Sequence, residues 1–310
     1  MEPPHEFHTL NFSGVLSTSK KIILTNYTHL ITLSLFFLPL SFSLMITTPT
    51  LPENPFSDDL PNHHQKLIIS YLLLILIIHI LSLCATATIT YSTHHVFSGE
   101  PVTISDSVKS LTASFFPLAS TAIVSYALTI LISLTFFMFV GIILMLVHNL
   151  CFVIIDYNSI YFMWFSAIMG AVLIAIIVYF HVEWSLASTV VVVESKWGFA
   201  ALTRSAYLVK GMRSVSLLVM LYFGVCGAVI VWIFEVPNTW VFVIINKTLG
   251  TFLLMIFLLR ITAANTVLYN YCKALHGELA IKVAEGFGKD YVKLPADYEK
   301  VPQVVSVLTV

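Results

Sequence analysis

Long stretches of this chain have no polar face. Six apolar runs, at 22–46, 67–91, 113–147, 160–193, 215–234 and 248–271, are separated by short polar segments. None keeps the strict alternation of a half-buried strand, and none shows the single apolar stripe of a helix lying on a soluble core. About 20 helical residues, rising 1.5 Å each, cross a hydrocarbon layer of about 30 Å. A helix also satisfies every backbone N–H and C=O within its own segment, which lipid demands. The alternating segments of a membrane barrel, each about ten residues long, are missing. The pattern therefore predicts an all-α integral membrane protein with six transmembrane helices. The third and fourth runs are too long for one perpendicular span each, so they must tilt, break or project beyond the bilayer. Pro39 and Pro117 mark two positions where a kink or boundary is expected.

The polar segments divide the chain into an N-terminal part (1–21) ending in an interfacial elbow, a membrane domain (22–272) and a tail (273–310). Segment 47–66, with its prolines and the Asp58-Asp59 pair, reads as an extended connection. The first run is longer than the 7–15 residues or so of a signal-peptide core, so it is expected to be a retained signal-anchor. A short pattern recurs three times: Leu16-Ser17-Thr18-Ser19, Ile104-Ser105-Asp106-Ser107 and Leu202-Thr203-Arg204-Ser205. A glycine precedes each copy (Gly14, Gly99, Gly198), and an odd-numbered apolar run follows it. In the second copy Thr103 and Asp106 have the spacing of a capping box. These repeats predict three units, each an elbow helix followed by a transmembrane hairpin.

Charge sets the expected orientation. Of the 15 Lys and Arg residues, 12 lie on the side that carries the N-terminus, only Lys66 and Lys247 lie opposite, and Arg260 sits inside the sixth run. The excess of basic residues on cytoplasmic loops then places both termini in the cytoplasm. With 58% hydrophobic and 10% charged residues the chain lies far from soluble composition, and a net charge of −1 gives no basic excess for nucleic acid. The four cysteines stand singly, so neither a disulfide framework nor a zinc site is expected.

Candidate chemistry is sparse. A charge inside a span costs about 2.5–3.5 kcal/mol on insertion scales, which makes Glu183 and Arg260 the residues to explain. They lie 10 and 11 residues from the predicted cytoplasmic ends of their runs, so an intramembrane Glu183–Arg260 pair, structural or gating, is expected. His29, His79, His148 and His181 also sit in or at the ends of runs, but no two stand at i, i+4, so a helix-borne metal pair is not expected. Neither Gly-x-Ser-x-Gly nor His-Glu-x-x-His occurs, and no glycine loop is built to hold phosphate. The expectation is a protein with no cofactor and no enzymatic activity.

The densest basic segment, 194–213, contains Lys196, Arg204, Lys210 and Arg213. These four are expected to meet anionic headgroups while Trp197, Phe199, Leu202 and Tyr207 enter the interface. A second reading has Arg204 and Lys210 anchoring the tail or a neighbouring elbow. Residues 180–211, FHVEWSLASTVVVVESKWGFAALTRSAYLVKG, place Trp184, Glu194, Gly198, Ser205, Lys210 and Gly211 in one frame. That frame resembles the Trp-x-Leu-Ala…Glu…Gly-x-x-Ala-x-x-x-Ser-x-x-Leu-x-x-Gly signature of a plant family of six-span membrane proteins. That family is related to the membrane domain of some bacterial glycerophosphoryl diester phosphodiesterases. Ser19-Lys20-Lys21-Ile22-Ile23, Leu38-Pro39-Leu40-Ser41 and the stretch from Thr266 to Lys273, with His276 and Glu278, add to the likeness. The resemblance implies the fold. It does not imply phosphodiesterase chemistry, because the segments outside the spans are too short for a catalytic domain. The expected function is a scaffold, adaptor or trafficking role in the endoplasmic reticulum or plasma membrane, with membrane lipids and other membrane or cytoplasmic proteins as partners. The alternative is a small-solute carrier or channel built around His181, Glu183, Arg260 and Asn265.

Overall fold

Apolar residues that cannot bond to water coil into helices wherever no breaker intervenes, and the breakers here set the architecture. A computed structural model describes residues 11–46, 61–151, 159–234 and 240–278. Among the described residues the regular structure is helical throughout: ten α-helices and one short 3-10 turn. Six segments are long and apolar enough to cross a membrane: Tyr27–Met45, Ile69–Phe97, Ile104–Leu150, Ile160–Glu194, Arg213–Ile233 and Ile244–Leu275. The expected six-span, all-α architecture is present.

Helix α1 (Phe12–Thr25) is an elbow that ends at Asn26, whose backbone (φ −123°, ψ 41°) leaves helical geometry. The first span starts only at α2 (Tyr27–Ser34), so its expected boundary at residue 22 is corrected: Ile22 and Ile23 belong to the buried face of α1. A 3-10 turn at Leu35–Phe37 leads into α3 (Leu38–Ile46). Pro39 lies in the first turn of α3. There its missing N–H costs little, and the tighter turn before it accommodates the ring.

Helix α4 (Pro61–Phe97) runs through the second span. The expected extended connection at 47–66 is thus helical from Pro61 onward, and 47–60 lie outside the described residues. Helix α5 (Ile104–Cys151) holds 48 residues without interruption, about 72 Å at helical rise. Thr103 caps it as the sequence predicts: the Asp106 N–H donates to Thr103 Oγ1 at 3.2 Å, and the Thr103 hydroxyl donates to Asp106 Oδ2 at 2.6 Å. The second elbow is therefore not a separate helix, a correction to the three-unit expectation. Pro117 neither ends nor splits α5.

The fourth run breaks instead. Helix α6 (Ile160–Glu183) stops at Trp184, and α7 (Ala187–Glu194) resumes after residues 184–186. A reversal through Ser195 (φ 54°) and Gly198 (φ 60°) leads to the third elbow, α8 (Phe199–Val209). Gly211, at φ 124°, then turns the chain into α9 (Arg213–Ile233). A Cβ at Gly211 would be strained by that φ and would meet Leu275 Cδ2 at 3.0 Å. The last span lies in α10 (Trp240–Leu275).

The core gathers at one end of the bundle. Val15 and Ile22 of α1, Ile89 of α4, Leu186 and Val190 around the break, Leu208 of α8, and Leu259 and Leu268 of α10 are all fully buried. Helix α10 is the mast: 56% of its most apolar stretch is buried, whereas the corresponding stretches of α5 and α6 are 0% buried. Those two helices present apolar side chains all round, as lipid permits.

Two of the three repeated serines bond across elements, and all three lie on the buried side of their elbows. Ser19, Ser107 and Ser205 are all buried. Ser107 Oγ lies 2.7 Å from Ser92 Oγ on α4. Ser205 donates to the Glu183 carbonyl at 2.7 Å and accepts from the Leu186 N–H at 3.2 Å, so one hydroxyl spans the gap in the fourth run. Replacing Ser205 with Ala leaves both backbone groups buried without that partner. The variant is expected to lose about 1–3 kcal/mol of stability, read as a lower thermal unfolding temperature in detergent, whereas Ser13→Ala on the exposed face of α1 should leave it unchanged.

Candidate functional site

Helix α7 ends on Glu194, and the left-handed Ser195 turns the chain so that α8 lies back beside it. Arg204 then faces Glu194 across the reversal. Its Nε donates to Glu194 Oε2 at 3.0 Å and its Nη2 to Oε1 at 3.1 Å, a fork-on-fork pair. Lys196 Nζ stands 3.3 Å from Oε2. From α10, the Tyr269 hydroxyl donates to Oε1 at 2.9 Å, and Lys273 Nζ lies 4.0 Å from the same oxygen. The Glu194 side chain is only 11% exposed, so these donors replace the water it has lost.

Arg204 also reaches the start of the tail. Its Nη1 donates to Glu278 Oε1 at 3.1 Å, and its Nη2 pairs with Glu278 Oε2. Tyr207 covers the guanidinium at 5.5 Å, and its ring lies 4.9 Å from the His276 ring, tilted by 44°. Glu278 and then Glu194 hold the Arg204 guanidinium more firmly protonated than usual, and Arg204 holds the Glu278 carboxyl below the ordinary glutamate range. Glu194, Arg204, Lys196, Tyr269, Lys273 and Glu278 form one ionic knot that ties α7, α8, α10 and the tail together.

A second charge pair lies at the break. Arg213 Nε approaches Glu183 Oε1 to 2.6 Å off the N–H axis, an ion pair without a well-directed hydrogen bond. Glu183 is buried, while Arg213 is half exposed and lies 6.0 Å over the Tyr179 ring. The expected Glu183–Arg260 pair is therefore corrected: Glu183 pairs with the first residue of α9, and Arg260 is exposed on α10. Equal depth placed Glu183 and Arg260 level with each other but said nothing about which way each points around its helix.

The structure also locates the other elbow residues. Trp184 closes α6 and packs 5.3 Å from Phe180. The Gly198 N–H donates to Thr121 Oγ1 of α5 at 2.8 Å. Lys210 ends α8 and is exposed. Of the four cations expected at headgroups, Arg204 is corrected outright, because its side chain is only 16% exposed and faces two carboxylates. Lys196 and Arg213 each hold one carboxylate while staying half exposed.

A family model described as Domain of unknown function (DUF8558) matches residues 45–297, most of the chain. The chain belongs to the DUF8558 family. No curated protein and no solved structure matches it. The match takes in the break, the third elbow and every member of the ionic knot, and leaves α1 outside.

Sequence reasoning about this DUF8558 chain did not single out Tyr269 or the pair formed by His94 Nδ1 and Asn270 Oδ1 at 2.9 Å. The signal for Tyr269 was the i, i+4 spacing to Lys273, which puts both on one face of α10. Asn270 Nδ2, Thr90 Oγ1 and Thr93 Oγ1 are buried without a protein partner. Among the described residues no three His, Cys, Asp or Glu side chains converge as a metal site. With every Glu194 oxygen engaged, the knot is suited to clamping and not to proton transfer.

Arg204→Gln would remove the bidentate partner of the mostly buried Glu194 and leave it only Lys196, Tyr269 and Lys273, at a cost on the order of 1–3 kcal/mol. Arg204→Gln with Glu194→Gln should recover part of that loss, which thermal unfolding of the two variants would show. The Glu278 contact has its own pH window. A carboxyl held below the ordinary value of about 4.3 contributes stability above that value and loses it as pH falls through the lowered one. Hydrogen-exchange protection factors at residues 276–278 should thus be steady near neutrality and fall below about pH 4.3, and Glu278→Gln should show the reduced protection at every pH.

Proposed function

We propose that this DUF8558 protein is a non-enzymatic membrane scaffold or adaptor, with both termini cytoplasmic and the elbow face forming its cytoplasmic rim. The observation that carries this reading is the pairing of charge. Glu194 and Glu278 are held by Arg204, Lys196 and Lys273, and Glu183 is held by Arg213. These pairs fasten helices to one another and to the start of the tail, as a rigid platform requires. Most of the basic residues lie on that same side, which supports its assignment to the cytoplasm and to a membrane of the secretory pathway. The likeness to the plant six-span family is compatible with a scaffold, since that likeness concerns the elbows and spans and brings no catalytic domain.

A carrier is the second reading, and the same side chains weigh against it. Transport sites in such proteins lie near the midplane, often beside broken helices, with polar groups converging on the substrate. The fourth run is broken, but His181 and Arg260 are exposed and point away from a shared interior, and Glu183 already has its counter-ion.

Proteoliposomes containing the full chain are expected to show no solute or proton flux under an imposed gradient, with Glu183→Gln identical to wild type. Reproducible flux that Glu183→Gln abolishes would replace the scaffold with a carrier. Proximity labelling from a tail-fused enzyme in native cells should enrich a reproducible set of cytoplasmic and membrane proteins, and Arg204→Gln should alter that set if the knot positions the tail.

A further inference from the structure

Of the three arginines, Arg204 and Arg213 are paired with carboxylates at the elbow end of the bundle. Arg260 is not. It is exposed on α10, and among the described residues no carboxylate lies within ion-pair distance of it. Its depth makes that unusual, because two landmarks on α10 bracket it. Nine positions toward the C-terminus, Tyr269 meets Glu194 in the ionic knot. Ten positions the other way, Gly250 is packed against Met45 and Phe234, at the far ends of the first span and of α9. At helical rise Arg260 is about 14 Å from one landmark and about 15 Å from the other, the middle of a hydrocarbon layer of about 30 Å.

An arginine near a membrane surface extends to the headgroups. Arg260 is too deep for that, and its Cα–Cβ bond tilts toward the N-terminus of α10, away from the elbows. The face that carries it is otherwise apolar. Ile245, Leu249, Phe252 and Leu253 precede it at helical spacing, all exposed. One turn toward the elbows the same face is covered, with Ala263, Ala264 and Val267 fully buried. Arg260 thus heads an open apolar stripe at the foot of the packed core. Charged residues within spans pair with one another, so a stripe with one cation at mid-depth complements a helix with one anion at the same depth. A second copy of the chain brings no such anion from the described residues. Glu183, Glu194 and Glu278 are already paired, and Glu100 and Asp106 flank the start of α5 at the elbow end. Two copies meeting on this face would also oppose like charges.

We propose that the outer face of α10 around Arg260 docks a transmembrane helix of a partner protein that carries an Asp or Glu near its middle. The stripe from Ile245 to Leu253 packs against the apolar side chains of that helix, and the Arg260 guanidinium forks onto its carboxylate. The inference deepens the adaptor reading and rests on it, the docked helix being one of the components that the rigid platform holds. A polar contact between helices in lipid shifts association by about three- to thirtyfold.

The labelled full chain, reconstituted in phosphatidylcholine vesicles with a labelled membrane-spanning leucine–alanine peptide, would report association by energy transfer. A peptide with one central Glu should associate at least about threefold more tightly than the same peptide with Gln there. Arg260→Leu should remove that preference, and Arg260→Lys should keep part of it. Arg260→Glu should reverse it, favouring a peptide with a central Lys, and this gain separates loss of the site from misfolding. Equal binding of the Glu and Gln peptides by wild type, or a Glu preference that survives Arg260→Leu, overturns the proposal. Energy transfer between two labelled copies that Arg260→Leu abolishes would assign the face to self-association and overturn it too. A preference seen only with Glu2→Gln and Glu6→Gln would place the counter-ion within the chain, and one lost on adding phosphatidylserine would give Arg260 to lipid. Either result overturns the open docking face. In all these cases the adaptor reading stands, because flux and tail labelling test it without Arg260.

Discussion

A single hydroxyl holds together the part of the molecule on which its other features depend. A helix that breaks close to the hydrocarbon leaves carbonyls and amides that water cannot reach, each costing several kcal/mol if unpaired. Ser205 gives its proton to the Glu183 carbonyl and takes the Leu186 N–H, so the gap between α6 and α7 is closed from outside the helix. The donor comes from α8, which can reach back only because Ser195 and Gly198 reverse the chain. Once the break is held, Glu183 stands at the end of α6 opposite the start of α9, and Glu194 stands at the end of α7 opposite Arg204. Both ion pairs are consequences of that one arrangement.

The same device recurs in weaker form at the second elbow and not at the first. Ser107 meets Ser92 on α4, whereas the buried Ser19 donates to the Leu16 carbonyl of its own helix at 3.0 Å and spans no gap. What differs is the link from each elbow to its span. Asn26 interrupts the first and Gly211 the third, whereas the residues after Ser107 include no glycine or asparagine before the span is well under way. With nothing to stop it, α5 continues straight through. A proline within a long apolar helix does not always break it, since neighbouring side chains can meet the freed backbone groups. Pro117 removes the N–H that the Ala113 carbonyl would have accepted from, and α5 still runs on without interruption.

This contrast shows which parts of the fold were legible in the sequence. Runs of apolar residues report on length and burial in lipid, so the six spans could be read directly. Capping is local, so Thr103 and Asp106 were legible too. The break at 184–186 was only half legible. The length of the fourth run required some accommodation, but nothing within 160–193 says that a serine about 20 residues later will stabilise a gap there. The partner of Glu183 was illegible for a different reason. Residue counting gives height along a helix, while pairing also needs the direction around the axis, and that is set by how α9 swings back under α6. Tyr269 lay between these cases: its spacing to Lys273 was visible, but its contact with Glu194 depends on a reversal over 70 residues earlier in the chain.

The internal pairing of charge also decides what the basic residues of the third elbow do. An arginine clamped between carboxylates loses side-chain freedom and gives up contact with solvent, and what it gains is fixed geometry. Basic density along a sequence therefore measures the number of cations on one side of a membrane, and not the number that face it. In this protein the elbow with the most cations uses them to lock α7, α8, α10 and the tail into one rim. The elbow with only two, Lys20 and Lys21, presents both on its outer face. The first elbow is fastened to the mast by a polar contact of its own, the Thr18 hydroxyl lying 2.8 Å from Tyr271 OH.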